Sequence, residues 1–161
     1  MNRVTALIVC CAFAACSSPR SDALNTADAL RSSTSATGAA STDPVCRLYS
    51  SDDAAHYIGE PAKDGELSMG GCQWMAAQGQ GNMMVQVVPV RYNEKPEGSP
   101  GYRVLPDVGS DAFVSTSMDG WLAGVVVGKQ AVRASFAGKG ASETTAIALL
   151  KETIKRMGQA Q

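Results

Sequence analysis

Residues 121–136 read WLAGVVV-GK-QAVRASF, and this stretch decides the fold. Residues 121–127 are almost wholly apolar and valine-rich, the pattern of a central strand covered on both faces. Gly128-Lys129 supplies a turn. Residues 130–136 then alternate, with Val132, Ala134 and Phe136 on one side and Arg133 and Ser135 on the other. Two such runs around a short glycine turn predict a hairpin. Just upstream, residues 111–118 alternate weakly and Asp119-Gly120 is a second tight-turn signal, so three consecutive strands are expected.

Two more strands are expected earlier in the chain. Residues 71–77 place Cys72, Trp74 and Ala76 on one face and Gln73 and Met75 on the other. After a turn at 78–81 with two glycines, residues 82–90 place Met83, Val85 and Val87 on one face and Gln86 on the other. A short helix precedes them. Ser50 and Asp53 have capping-box spacing, with Asp in place of the usual Glu. Ala55 and Ile58 share a face, Gly59 ends the helix and Pro61 forbids its continuation. At the other end Ser142 caps a longer helix, in which Ile147, Leu150, Ile154 and Met157 form one amphipathic face. Glu152 and Arg156 can pair across one turn. Lys155 and Arg156 complement the helix dipole, and Gly158 marks the stop. The predicted class is α+β. An antiparallel sheet of about five strands carries the short N-terminal helix and the C-terminal amphipathic helix on one face.

The chain has 161 residues, enough for one domain with appendages. Fourteen Lys and Arg against 15 Asp and Glu leave a net charge of −1, and no run of like charges occurs. That balance argues against a nucleic-acid partner, which calls for a basic face, and against long-range steering by net charge. The single histidine restricts imidazole chemistry to one position. Five cysteines are an odd number that needs an explanation.

Met1-Asn2-Arg3 followed by the charge-free apolar run 4–15 has the form of a secretory signal. The run is too short for a membrane span, which needs about 20 residues. Phe13-Ala14-Ala15-Cys16 resembles the lipobox of bacterial lipoproteins. That resemblance implies a signal peptide at residues 1–15, cut before Cys16, and acylation of Cys16 through its sulfur with palmitate-type chains. Phe13 departs from the leucine the pattern prefers, which keeps simple cleavage to a soluble protein as the alternative. Cys10 and Cys11 are poorer acceptors, because Val9 and Cys10 precede them instead of a small residue. One acyl chain binds a membrane marginally, and two or three hold stably. Ser17 resembles the outer-membrane class of lipoproteins. The implied place is a lipid-anchored position in the cell envelope: the outer membrane facing the periplasm where the organism has one, otherwise the outer face of the cell membrane. Residues 16–43 are rich in Ser, Thr and Ala with only Leu24 and Leu30 as large apolars, a composition that reads as a flexible tether. Its r.m.s. reach is roughly 30 Å. Residues 44–161 are the globular α+β domain.

A second resemblance runs through that domain. Cys46-Arg47-Leu48, Ser50, Ala54-Ala55, Ile58-Gly59 and Pro61 open it, and Gly71-Cys72-Gln73-Trp74 and the 105–112 stretch LPDVGSDA continue it. In this order, with the closing helix, they are similar to a family of small bacterial lipoproteins and secreted domains of unknown function, over residues 46–157. The resemblance implies a disulfide between Cys46 and Cys72 and transfers no catalytic residue. Counting reaches the same pair. Cys10 and Cys11 leave with the signal and Cys16 takes lipid, so two cysteines remain where oxidation is expected. Their bridge contributes about 3.5 kcal/mol in the chain-entropy picture. Two free thiols are the alternative; a shared metal site fits less well, since two lone cysteines lack the four-ligand pattern of zinc.

Three features bear on chemistry. His56 has Asp52 one turn before it, so an Asp-oriented imidazole is geometrically open; no G-x-S-x-G elbow supplies a nucleophile, and an exposed helical histidine explains it as well. Met69, Met75, Met83, Met84 and Met118 could form, with His56, a soft site for Cu(I); core gap-filling is the competing explanation. Residues 91–110 form a long segment without regular structure. Arg91, Tyr92, Tyr102 and Arg103 within it are a candidate recognition loop for an envelope protein or glycan, with a solvated loop as the alternative. The expected function is a non-catalytic, lipid-anchored binding or accessory domain without cofactor. A periplasmic copper-binding protein is the alternative, and a small exported enzyme ranks third.

Overall fold

The protein is described by a computed structural model covering residues 41–118 and 120–160. The stretches expected to be signal sequence, lipobox with Cys16 and most of the tether, together with Asp119, lie outside the described residues.

The hairpin read from the sequence is the centre of the sheet. Strands β6 (Gly120–Val127) and β7 (Gln130–Ala137) pair antiparallel, with Ala123 opposite Ala134 and Val125 opposite Val132. The other side of β7 pairs antiparallel with β3 (Asn82–Pro89), with Val85 opposite Ala134. Beyond β3 lie β2 (Gly71–Met75) and β1 (Glu66–Ser68), and beyond β6 lie β5 (Phe113–Ser117) and β4 (Arg103–Val104). The order is β1-β2-β3-β7-β6-β5-β4. The sheet is thus two meanders joined along one β3–β7 seam.

The sheet has seven strands, not the expected five. The additions are edge strands of three and two residues, too short to show periodicity. Strand β2 stops at Met75, and Ala76 makes an isolated bridge with Ala62.

Helix α1 (Ser51–Ile58) carries the expected capping box. The Ser50 hydroxyl accepts from the Asp53 N–H at 3.1 Å, and the Asp53 carboxylate accepts from the Ser50 N–H at 2.9 Å. Gly59 closes the helix at φ 82°, a left-handed conformation suited to glycine. The residues that α1 buries are Ala54 and Ile58, with Ala55 half-buried. Helix α2 (Glu143–Gln159) is capped by Ser142 and continues through Gly158, where a side chain would meet open space. A glycine in a solvated last turn costs about 1 kcal/mol, too little to end a helix without a following break. The inward stripe of α2 is Ala146, Leu149, Leu150 and Thr153, while Ile147, Ile154 and Met157 are only partly buried. The stripe is turned from the expected one because Thr153 is drawn inward. Its hydroxyl lies 2.8 Å from the Tyr49 hydroxyl and donates to the Leu149 carbonyl at 2.7 Å.

Both helices contribute to one core with the strand residues of a single face, among them Trp74, Val85, Ala134 and Phe136. A short 3-10 turn (Cys46–Leu48) leads into α1. The disulfide Cys46–Cys72, with a Cα separation of 5.0 Å, fastens this turn to β2. Arg156 of α2 completes the attachment. It donates to both Asp53 oxygens at 3.0 and 3.1 Å, to the Leu48 carbonyl at 2.7 Å and to Glu152 at 2.9 Å. Its guanidinium also sits 4.3 Å from the centre of the Tyr49 ring. These bonds hold the Asp53 carboxyl well below its ordinary range. Burial pushes the Tyr49 phenol up to about 12, against the opposing hydrogen bond from Thr153.

Candidate functional site

The opposite face of the sheet is built differently. The chain between β3 and β5 crosses it as a strap. It begins in a 3-10 turn (Val90–Tyr92) beside β7 and reaches the far edge as β4. Several contacts seat it. Arg133 of β7 donates to the Glu94 carbonyl. Within the strap itself, Lys95 meets the Asp111 carboxylate at 3.0 Å and ties its first half to its last residues before β5. The Tyr102 ring stacks on Phe113 with centroids 6.0 Å apart. Phe113 is fully buried because Gly124 leaves room for it: a Cβ there would fall 2.7 Å from the Phe113 ring. The expected unstructured segment 91–110 is therefore an anchored cover with a strand in it. The expected covering of β6 on both faces is met on one side by α2 and over only part of the other by the strap.

The part left uncovered is a concavity of about 320 Å³. Met84 and Ser135, cross-strand neighbours, line it together with Gln73, the other neighbour of Met84. Met69 and Met118 line it from two turns. Met69 sits between β1 and β2 at φ 46°, and its carbonyl accepts from the Gln86 side chain at 2.8 Å. Met118 follows β5 at φ 45°. Their exposures are 78% and 102%, against 8% for Met84. Among the described residues, the lining holds amides, hydroxyls, thioethers and aromatic carbon, and no ionisable side chain.

The four residues of the expected recognition loop are not gathered on one surface. Arg91 and Tyr92 are exposed and stack on each other, guanidinium to ring centre 4.8 Å. Tyr102 and Arg103 are neighbours at β4, so they point to opposite faces. Tyr102 lies on Phe113, while Arg103 reaches the helix side and donates to Glu143 of α2 at 2.6 Å. His56 is exposed on α1, beside a shallow cleft that also holds Asp52, Tyr57, Glu152 and Arg156, and it does not join the methionines. Met83 belongs to the core and is fully buried. Among the described residues, no group of three or more His, Cys, Asp or Glu could hold a metal ion, and no helix is long and apolar enough to cross a membrane. Alternation shows from sequence that Met75 and Met84 share a face. It does not show that two turns bring Met69 and Met118 to it, because turn conformation follows from the strand pairing. No family model, curated protein or solved structure matches the chain.

Proposed function

We propose that the protein is an exported, lipid-anchored binding or accessory domain of the cell envelope, of the small bacterial lipoprotein kind that its motifs resemble. Cys16 carries the acyl chains, residues 16–43 form the tether, and the uncovered half of the sheet is the binding surface. The observation that carries this reading is the buried Cys46–Cys72 disulfide, with Cys72 fully buried and Cys46 7% exposed. A structural bridge of this kind is at home outside the reducing cytosol. The apolar run 4–15 and the lipobox-like FAAC support export and anchoring from the sequence side.

The test is made in the producing cell. Cys16→Ser should lose incorporated radioactive palmitate and leave the membrane fraction. A photo-crosslinking residue at Gln73, on the open face, should capture a partner, while one at Lys151, exposed on α2, should not. Palmitate label that survives Cys16→Ser would overturn the anchor. Equal capture from both faces would overturn the binding surface.

A second reading, soft-metal binding, is favoured by one specific observation: three methionines line a single concavity.

A further inference from the structure

We infer that residues 93–99 of the strap are a hinged flap, and that its opening bares the Arg133 guanidinium on the open face while the rest of the domain stays folded. This deepens the proposed function, since it names a gate for the face read there as the binding surface and rests on that reading.

The flap is anchored at its ends and free between them. Before it, the Val90 N–H donates to the Lys129 carbonyl at 3.2 Å. After it, the Pro100 carbonyl accepts from the Thr116 N–H at 3.0 Å and from the Thr116 hydroxyl at 2.7 Å. Between these points its backbone bonds are short-range: the N–H groups of Asn93, Glu94, Glu97 and Ser99 donate to carbonyls two or three residues back. No residue of 93–99 is buried as a whole, and at Gly98 a side chain would meet open space. Segments with so few contacts open at the lowest cost.

Among the described residues, two polar contacts latch the flap to its surroundings. Arg133 donates to the Glu94 carbonyl, and Lys95 pairs with Asp111. Asp111 stays with the fixed end of the strap, because Ala112 is buried and the Ser110 carbonyl accepts from the Val126 N–H of β6 at 3.3 Å. The Lys95–Asp111 pair is open to solvent, and exposed pairs contribute little.

At the Arg133 latch the closed arrangement carries a penalty. Asn93 Oδ1 of the flap and Arg133 Nε of β7 are both buried and have no hydrogen-bond partner. A buried polar atom left unpaired costs more than an average hydrogen bond returns. Opening hands both atoms to water. Arg133 stands on the central strand, between Gln86 of β3 and Gly124 of β6. Among the described residues no carboxylate pairs with it. The open flap therefore leaves a free guanidinium in the middle of the face.

The experiment uses the full-length protein with nitrogen-15 in its backbone and arginine side chains. Solvent exchange of the Arg133 Nε–H reports opening, because that atom is buried when the flap is closed. Lys95→Met removes one latch and should speed this exchange about two- to fivefold. Asn93→Ala removes an acceptor that the closed flap buries unpaired, and should slow it about fivefold or more. In both variants the backbone N–H of Val132, fully buried on the same strand, should exchange as in wild type. Four results would each overturn the flap: Arg133 exchanging as fast as the exposed Arg91 in wild type, no change in Lys95→Met, no slowing in Asn93→Ala, or Val132 accelerating in step with Arg133. The result is separable from the binding reading. Selective capture at Gln73 with an unmoving flap overturns the flap alone. A moving flap with equal capture from both faces overturns the binding surface alone.

Discussion

The two faces of the sheet are built by opposite means. On one, two helices press large apolar side chains into a closed core, and a disulfide and the Arg156–Asp53 pair lock the first helix in place. On the other, a strap held by a few polar contacts and one aromatic stack covers half of the surface and leaves the rest open. The difference teaches where stability and recognition can be separated. The helix side holds one closed core, while the turns at the rim of the open half, Met69 and Met118, are exposed and carry little packing.

The strongest way to break this comparison is to truncate each face in turn. Phe136→Ala, on the helix side, should cost about 3–5 kcal/mol in urea unfolding, as a large buried aromatic does. The open half should tolerate its own substitutions. If truncations at Met69 or Met118 cost as much, the two faces are not different in kind.

Removing the bridge with Cys46→Ser and Cys72→Ser together should cost about 2–5 kcal/mol and lower the thermal midpoint. The loss should fall first on the 3-10 turn and α1, seen as faster amide exchange there. Uniform acceleration over the whole domain would show that α1 is not separately dependent on the clip.

Titration sharpens the same side. Asp53 is depressed from its ordinary value of 3.8 chiefly by its hydrogen bonds to Arg156. The folded state holds that proton more weakly than the unfolded one. Its contribution is complete above the ordinary carboxylate range and is lost as pH falls below it. Tyr49 runs the other way. Its phenol is raised to about 12, so the folded state keeps a proton that the unfolded state releases near 10, and stability falls as pH rises between those values. Tyr57 is shifted in the same direction by burial. Tyr49→Phe should therefore shrink the alkaline loss, and an alkaline limb identical to wild type would refute the assignment.

Smaller effects belong to the strap. Tyr102→Ala removes the ring stacked on Phe113 and should cost about 1 kcal/mol. It should also raise proteolytic cutting within residues 91–102. Met118→Leu, at the open rim, should change stability by no more than about 0.5 kcal/mol.

Much of the helix-side face was legible in the sequence, because burial writes itself as period. The 121–136 hairpin, the Ser50–Asp53 box, the Ser142 cap and the alternation of Cys72 and Trp74 all rest on contacts local in sequence or on a repeating apolar side. Glu66–Ser68 and Arg103–Val104 were not legible, since strands of two or three residues exist only through the partner they pair with. The inward turn of α2 was hidden for a related reason. Thr153 is a polar residue whose burial depends on a Tyr49 hydroxyl far away in the chain. The candidate site was legible as a collection of methionines and not as an arrangement. Tyr102 and Arg103 illustrate the limit: adjacent in sequence, they serve opposite faces once β4 is paired.

The seam between the two meanders has a consequence in time. Within each meander, strands pair with chain neighbours and can form early. The β3–β7 seam joins Asn82 to Ala137 at one end and Pro89 to Gln130 at the other, and such distant pairings are slow to assemble. The strap is the connection that must close before the seam can zip. Because closure entropy grows only with the logarithm of loop length, lengthening the strap should delay this step modestly, whereas tethering it more tightly to Arg133 or Phe113 should advance it. The segment that covers the second face thus also governs when the two halves of the sheet meet.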